Sequence, residues 1–501
     1  MKYVVLILVL MVAGAAAYFF MVDPSALDRL QGKAPAAEPT TNSQPATREP
    51  TQSKPSPAKP KASKTPTFTA PDSEMAWFVN GEPVPAGGDL QVKGDHWVVT
   101  GYKDGRYSHH SVAVGADAPT ISPTPKSTSA SAVWEAFQGD GSRRGLVDAV
   151  DRTSLTKAWE LDLADRIKAS PVIYGDRFYI SSNNHLLNAI DLKQGKLLWQ
   201  AEGMGSTVSP VANASHVFMG NDAGLFNGYL IKNGKQKGET SLESYAVALA
   251  LISEEAFLAT TRDHQVLSIK TKKGFFGKLP LRVNWKVDLP ELGAANATPV
   301  LVDGKAIFVT EKSGLVALDT DSGKRIWPAS AAAGKADFTG DGDMSLSFVN
   351  RDFFLTPTPA AENGVIYSAL GKTLVAQKVT DGTIIWKKEL DNTPTSSLAL
   401  ANGLLYFGDN EGRLQARSLI DGAPMFAAKV SEQAIFASPA LFKDKCLVGT
   451  QEGNLLLLHA FTGKQVAKSN ALAGAAVKSS PAVTSNAVLA VNEKGKIVCF
   501  Q

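Results

Sequence analysis

The stretch from Ala189 to Trp199 reads Ala-Ile-Asp-Leu-Lys-Gln-Gly-Lys-Leu-Leu-Trp, and its spacing decides the fold. A small residue is followed by an acid, a glycine and a tryptophan at fixed distances, and the pattern returns along the chain. It recurs at Ala317, Asp319, Gly323 and Trp327, and with a lysine for the acid at Ala376, Lys378, Gly382 and Trp386. Weaker copies run from Ala416 to Phe426 with Arg417 and Ser418 near the acid, from Gly228 to Gly238, and from Leu457 to Ala467 with His459 near the acid.

Each residue type in this unit has a structural reason. The acid can accept hydrogen bonds from the turn that follows it. Glycine takes the positive φ that a tight hairpin requires. Tryptophan, on the outermost strand, is placed to bury its ring against the next repeat. We therefore predict a structural docking set of Trp159, Trp199, Trp285, Trp327 and Trp386 with Gly195, Gly323 and Gly382.

A second signal, Ser or Thr followed by Pro, marks the start of the first strand in most repeats. It stands at Ser170, Ser209, Thr298, Thr358, Ser438 and Ser480. Four short strands per repeat of about forty residues are typical of propeller blades. Residues around the strand starts should then line the axial channel; these are Lys168, Ser206, Thr207, Lys478 and Ser479.

The two ends of the repeat region complete each other. The last repeat begins at Ser480 and supplies three strands before Gln501, whereas Lys157–Leu163 is a lone strand ahead of the first repeat. Pairing them would close the ring and remove two open sheet edges. Seven complete repeats and one shared repeat predict an all-β fold, an eight-bladed β-propeller over residues 133–501.

The repeated unit resembles the tryptophan-docking motif of PQQ-repeat (quinoprotein alcohol dehydrogenase-like) propellers. The phrase from Trp134 to Gly145 is similar to the lead-in of exported members of that superfamily. The resemblance implies the fold over about residues 133–501 but not the function. The superfamily contains PQQ-dependent dehydrogenases and non-enzymatic propellers such as the BamB-type scaffold of outer-membrane protein assembly.

The residues favour the non-enzymatic branch. On the resemblance, a dehydrogenase should carry vicinal cysteines, whereas this chain has only Cys446 and Cys499. Hydrolase and nucleotide-binding motifs are also missing from the sequence. We expect a non-catalytic scaffold of envelope assembly that binds a protein or a ligand, without PQQ or another cofactor, and with a PQQ-dependent oxidoreductase as the alternative. Its partner would be an envelope protein or polymer that meets the axial funnel or the inserted loops 274–281 and 331–354.

One loop has the composition of a calcium site. Oxygen donors alternate at Asp337, Thr339, Asp341 and Asp343, with Gly342 at the turn, although a closing glutamate is missing. The sequence therefore predicts a structural Ca²⁺ here, with a polar surface turn as the alternative.

The N-terminal part is organised differently from the repeats. Residues 1–30 contain an apolar run from Tyr3 to Val22, long enough for a membrane-spanning helix. This predicts a signal anchor with a single-pass inner-membrane location and an exported body, or else a signal peptide cleaved near Ala17. A proline-rich disordered linker (31–72), a small β-module (73–116) and a second linker (117–132) follow.

The charge balance says little about a partner. The net charge is +3 over 501 residues. A protein that binds the phosphate backbone usually concentrates far more positive charge. Nucleic acid is therefore not an expected partner.

Overall fold

A computed structural model describes residues 67–71, 74–91, 96–113, 126–127, 137–149, 151–203, 208–272, 278–289, 297–310, 314–327 and 357–501. Every regular element in these ranges is a β-strand. The fold is therefore all-β throughout the described part of the chain.

The small β-module precedes the repeats. A five-stranded sheet, in the order β3-β2-β5-β6-β7, is accompanied by the pair β1-β4. Asn80 and Gly81 form the β2–β3 hairpin with φ of 47° and 83°, as the Asn-Gly sequence predicts. Trp77 and Trp97 are the largest side chains of its core. The strands are β1 Thr67–Thr69, β2 Ala76–Val79, β3 Glu82–Val84, β4 Asp89–Gln91, β5 His96–Lys103, β6 Arg106–Ala113 and β7 Lys126–Ser127. Strands β1 and β7 fall in ranges that the sequence analysis assigns to linkers.

The repeats form antiparallel sheets, which we number 1 to 8 in chain order. Sheets 1 to 3 have four consecutive strands each. Sheet 1 contains β9 Val172–Tyr174, β10 Arg177–Ser181, β11 Leu186–Asp191 and β12 Leu197–Glu202. Sheet 2 contains β13 Val211–Ala212, β14 His216–Gly220, β15 Leu225–Leu230 and β16 Gln236–Ser241. Sheet 3 contains β17 Ala246–Ser253, β18 Ala256–Thr261, β19 Gln265–Thr271 and β20 Leu281–Asp288.

Sheet 4 has three strands within the described residues, and sheets 5 to 7 have four each. Sheet 4 contains β21 Val300–Val302, β22 Lys305–Thr310 and β23 Gly314–Asp319. Sheet 5 contains β24 Ala360–Glu362, β25 Val365–Leu370, β26 Thr373–Lys378 and β27 Ile384–Glu389. Sheet 6 contains β28 Ala399–Ala401, β29 Leu404–Gly408, β30 Arg413–Ser418 and β31 Pro424–Lys429. Sheet 7 contains β32 Ala440–Phe442, β33 Lys445–Gly449, β34 Leu455–His459 and β35 Gln465–Ser469.

Sheet 8 joins the two ends of the repeat region. It consists of β36 Ala482–Val483, β37 Val488–Val491, β38 Lys496–Phe500 and the early strand β8 Lys157–Asp162. Trp159 lies opposite Cys499 in this register. The pairing of the last repeat with Lys157–Asp162 confirms the closure that the sequence predicts.

The strand order defines two faces of the ring. Neighbouring strands are antiparallel, so the first–second and third–fourth turns of each sheet lie at one end, which we call the hairpin face. The second–third turns and the links to the next sheet lie at the other end, the funnel face. Middle strands such as β18 are wholly buried, whereas fourth strands such as β12 are largely exposed. The core therefore lies between adjacent sheets.

The predicted anchor (1–30) and most of the predicted linker (31–72) lie outside the described residues. Across the described ranges, no helix is long and apolar enough to cross a membrane.

Candidate functional site

Each docking tryptophan holds two neighbouring sheets together. Its indole Nε1 donates a hydrogen bond to a backbone carbonyl in the third–fourth turn of the next repeat. The donor–acceptor distances lie between 2.9 and 3.2 Å. The pairs are Trp159–Leu192, Trp199–Ile231, Trp285–Thr320, Trp327–Val379 and Trp386–Leu419.

The backbone of a glycine in the next repeat packs against the face of each indole ring. Gly195 has a φ of 68°, and a methyl group added to it would lie 2.5 Å from ring atoms of Trp159. Gly323 stands in the same way against Trp285, and Gly382 against Trp327. Glycine is required here both by the backbone conformation and by the close approach of the indole.

The weakest repeat uses a different contact. Gly238 occupies the tryptophan position in sheet 2. An added methyl group there would lie 2.3 Å from the carbonyl of Leu279 and 3.1 Å from Leu281. Leu279 also donates its N–H to the carbonyl of Lys237. The insertion in the third repeat thus fills the place of the missing indole.

The Ser/Thr residues at the strand starts link the sheets around the axis. The backbone N–H of this position donates to the hydroxyl of the same position in the next repeat, at 2.9 to 3.0 Å. The recorded pairs are Ser170–Ser209, Thr358–Ser397, Ser438–Ser480 and, across the closure, Ser480–Ser170. The hydroxyl therefore satisfies a buried backbone donor that would otherwise be costly.

These strand starts surround an axial cavity of about 100 Å³ on the funnel face. Lys168 and Lys478, at equivalent positions in neighbouring repeats, lie on its wall, and Lys478 pairs with Glu493 at 3.0 Å. Ser479 instead donates its hydroxyl to the carbonyl of Ala169 and is buried. Ser206 and Thr207, the other predicted lining residues, lie outside the described residues.

A lead-in segment, residues 137–149, runs along the first strands of sheets 4 to 7. Its carbonyl oxygens accept backbone hydrogen bonds from one residue in each of these strands. The acceptor–donor pairs are Gly141–Leu301, Ser142–Ala361, Arg144–Leu400 and Gly145–Leu441. Phe137, at its start, reaches the wall of the axial cavity. The segment is thereby hydrogen-bonded to sheets 4, 5, 6 and 7.

Arg143 anchors the lead-in segment from within. Its side chain is fully buried and donates to the carbonyls of Pro299 and Phe137 at 3.2 and 2.6 Å. Burial lowers the pKa of Arg143 to about 10, opposed by the charge of Asp140.

The small β-module rests on the hairpin face of sheets 6 and 7. The ring of Phe78 stacks on Phe461, with centroids 4.9 Å apart. His109 bridges Thr100 of the module and Ser418 of the ring, at 2.8 and 3.0 Å. The interface therefore combines an apolar centre with polar contacts at its side.

A carboxylate of the ring fixes the edge of this interface. Asp421 accepts a hydrogen bond from Ser111 at 2.8 Å and lies 2.7 Å from Nε2 of His96. Both module residues point to the same side of the β5–β6 hairpin.

The repeat pattern does not predict this interface, although the sequence contains a signal for it. In sheets 6 and 7 the acid of the docking unit is replaced by Ser418 and His459. Both replacements touch the module, Ser418 through His109 and His459 through Phe78 at 5.1 Å. These two departures from the repeat pattern therefore coincide with contacts to the module.

The predicted calcium loop, with Asp337, Thr339, Asp341 and Asp343, lies outside the described residues and stays a prediction. Among the residues that are described, no group of three or more His, Cys, Asp or Glu side chains could hold a metal ion.

A ring of four-stranded sheets, joined by docked tryptophans and closed by its two ends, defines a PQQ-repeat β-propeller. The family described as outer membrane protein assembly factor BamB matches residues 136–327, 246–358 and 352–501. The chain belongs to this family, and so to the BamB-like branch that the sequence analysis favoured.

Curated relatives agree with this assignment. Outer membrane protein assembly factor BamB of Yersinia pestis is 22% identical over 390 residues, covering 69% of this chain and 93% of its own length. The protein of the same name from Moranella endobia is 22% identical over 339 residues, covering 62% of this chain and 80% of its own.

Solved structures share the fold. BamB from Moraxella catarrhalis superposes with a TM-score of 0.54 at 17% identity, covering 69% of this chain and 97% of that one. A quinohemoprotein alcohol dehydrogenase from Comamonas testosteroni gives 0.58 at 12% identity, covering 74% of this chain and 80% of that one. At such identities the likeness is one of fold alone.

The expected inner-membrane location with a single-pass anchor is wrong. The finding that overturns it is that the relatives are named for outer membrane protein assembly. The expectation depended on one apolar run, Tyr3 to Val22, which lies outside the described residues.

Proposed function

We propose that this protein is a non-catalytic, eight-bladed propeller that serves as a binding scaffold in outer membrane protein assembly. The match of the repeats to the BamB family over residues 136–501 carries this proposal. The eight sheets would be the eight blades, with the fourth strand of sheet 4 beginning at Arg325, which forms an antiparallel bridge with Leu318.

The chemistry of the repeats supports a scaffold. Their recurrent polar and aromatic residues are engaged in holding the ring together: the strand-start hydroxyls receive backbone N–H groups, and the indoles donate to carbonyls. The axial cavity has a volume of about 100 Å³. That volume is small compared with the roughly 300–1,000 Å³ of pockets that bury an organic ligand. Both observations weigh against the alternative of a quinone-dependent oxidoreductase.

The partner surface that we propose is the funnel face. On the hairpin face, the module covers parts of sheets 6 and 7. On the funnel face, Tyr245 is 47% exposed, and the guanidinium of Arg262 lies 5.9 Å from its ring centroid. Tyrosine and arginine are the residue types that dominate binding energy at protein interfaces. We propose that another outer membrane assembly protein binds there.

Depletion of the protein from its own cells tests this function. Outer membrane β-barrel proteins should fall in amount, because their assembly loses a scaffold, and re-expression of the full chain should restore them. The double variant Tyr245→Ala/Arg262→Ala should restore them only partly. Asp176→Ala, an exposed change on the hairpin face, should restore them fully. Unchanged amounts after depletion would refute the proposal, and equal rescue by all variants would refute the surface.

A further inference from the structure

The axial cavity on the funnel face has a positively charged wall. Lys168 and Lys478 line it, and among the described residues that line it none is aspartate or glutamate. Glu493 pairs with Lys478 at 3.0 Å but is not one of the lining residues. Because water and salt screen charges less inside a cavity than on an open surface, this wall favours a negatively charged occupant.

A third cation lies behind the wall. The guanidinium of Arg143 donates to the carbonyls of Pro299 and of Phe137, which is itself a lining residue. Its Nη2 atom has no hydrogen-bond partner among the described residues, although the side chain is fully buried. Asp140 stabilises this charge, but it is 31% exposed and is shared with Arg144, 3.2 Å away. Since buried charges are usually paired, an anion in the cavity would compensate Arg143 further.

Hydroxyl groups complete the set of donors around the cavity. The hydroxyl oxygens of four lining serines each accept a backbone N–H; these are Ser170, Ser209, Ser397 and Ser480. A serine hydroxyl has one proton and two lone pairs, so accepting a bond leaves its proton for donation. Together with the lysines, these hydroxyls can replace part of the water shell of an anion.

The two lysines belong to the repeats that close the ring. Lys168 stands two residues before the strand start Ser170 of sheet 1, and Lys478 stands two residues before Ser480 of sheet 8. The N–H of Ser480 donates to the hydroxyl of Ser170 at 3.0 Å. An anion held by both lysines would therefore add an ionic link across the closure, where the first and last repeats meet.

We propose that the axial cavity binds a small oxyanion of the size of phosphate, held by Lys168, Lys478 and the strand-start hydroxyls, and that this anion strengthens the closure of the ring. The volume of about 100 Å³ sets the size, because it admits a few waters or one small ion but not an organic cofactor. This inference goes beyond the scaffold function, since the site lies within a single chain and needs no partner protein.

Calorimetric titration of the full chain with inorganic phosphate tests the site. Chloride at equal ionic strength is the reference, because general screening is then the same in both solutions. We expect saturable binding of one phosphate per chain. The melting temperature should rise with phosphate concentration, since a ligand that binds only the folded state stabilises it. Absence of saturable binding at millimolar phosphate would overturn the proposal.

Removal of a lysine identifies the binding groups. Lys168→Gln is expected to weaken phosphate binding about tenfold or more, because hydrogen bonds to charged groups are strong. Lys478→Gln takes its place if that variant does not fold, as judged by circular dichroism. Lys494→Gln is the matched control, since it removes the same charge from an exposed position on the funnel face outside the cavity lining. Unchanged affinity in the folded cavity variant, or an equal loss in the control, would refute the assignment.

The size of the ligand distinguishes an enclosed site from a basic surface. Trimesate, a benzene tricarboxylate, carries more charge than phosphate but is too large for the cavity, so it should bind no better than chloride. Trimesate that binds as tightly as phosphate would contradict an enclosed site. Methyl phosphate distinguishes the source of the anion. Binding equal to that of phosphate would mean that a larger molecule can present the group, and much weaker binding would identify the free ion; either result upholds the site.

Discussion

Replacing Trp327 with alanine is expected to lower the free energy of unfolding by about 3–5 kcal/mol. Trp327 is 1% exposed and donates to the carbonyl of Val379 in the next repeat. The truncation leaves a cavity between sheets 4 and 5 and removes the partner of a carbonyl group. Chemical denaturation followed by tryptophan-independent far-ultraviolet circular dichroism measures the loss.

The neighbouring residue provides the control for this variant. Ile326 precedes Trp327 but is 38% exposed. Ile326→Ala should change the unfolding free energy by no more than about 0.5 kcal/mol, as exposed substitutions usually do. Equal losses in the two variants would mean that the indole does not join the sheets as described.

Gly195→Ala is expected to destabilise the ring by about 2–5 kcal/mol, the sum of two effects. A non-glycine residue at a φ of 68° costs about 1–2 kcal/mol. The added methyl group would also lie 2.5 Å from the Trp159 ring, and overpacking of this kind costs about 1–3 kcal/mol more.

Gly175→Ala separates the two effects. Gly175 lies in the same sheet with a φ of 61°, but an added methyl group there meets nothing within 4 Å. It should therefore show the backbone cost alone in the same denaturation experiment. If Gly195→Ala were no worse than Gly175→Ala, the close approach of Trp159 would play no part in stability.

The parts of the fold that the sequence predicts depend on local chemistry repeated many times. A glycine at positive φ followed four residues later by a tryptophan has the same spacing in several repeats. The turn and strand formed around Gly195 and Trp199 therefore predict those around Gly382 and Trp386. The closure was also predictable, because the last repeat lacks a fourth strand and Lys157–Asp162 is a single strand that can supply it.

The module interface could not be predicted in the same way, since it depends on single contacts between distant residues. His109 and Ser418 are 309 positions apart, and no repeated motif predicts their hydrogen bond. From the sequence alone, Ser418 and His459 are interpreted only as loss of the acid from the docking unit. Only the structure assigns them a second role against the module.

The inner-membrane prediction failed for a related reason. Twenty apolar residues satisfy the length of a bilayer, but length alone does not say to which membrane a protein belongs. The finding that overturned the prediction is the name of the relatives, outer membrane protein assembly factor.

Photo-crosslinking in cells tests whether the funnel face binds another outer membrane assembly protein. A photoreactive amino acid at Tyr245 places the probe on the proposed funnel-face surface, and one at Asp176 places it on the hairpin face of sheet 1. We predict that the Tyr245 probe joins the chain covalently to another outer membrane assembly protein, and that the Asp176 probe does not. Crosslinks to assembly proteins from Asp176 alone, or from neither position, would show that the funnel face is not the partner surface.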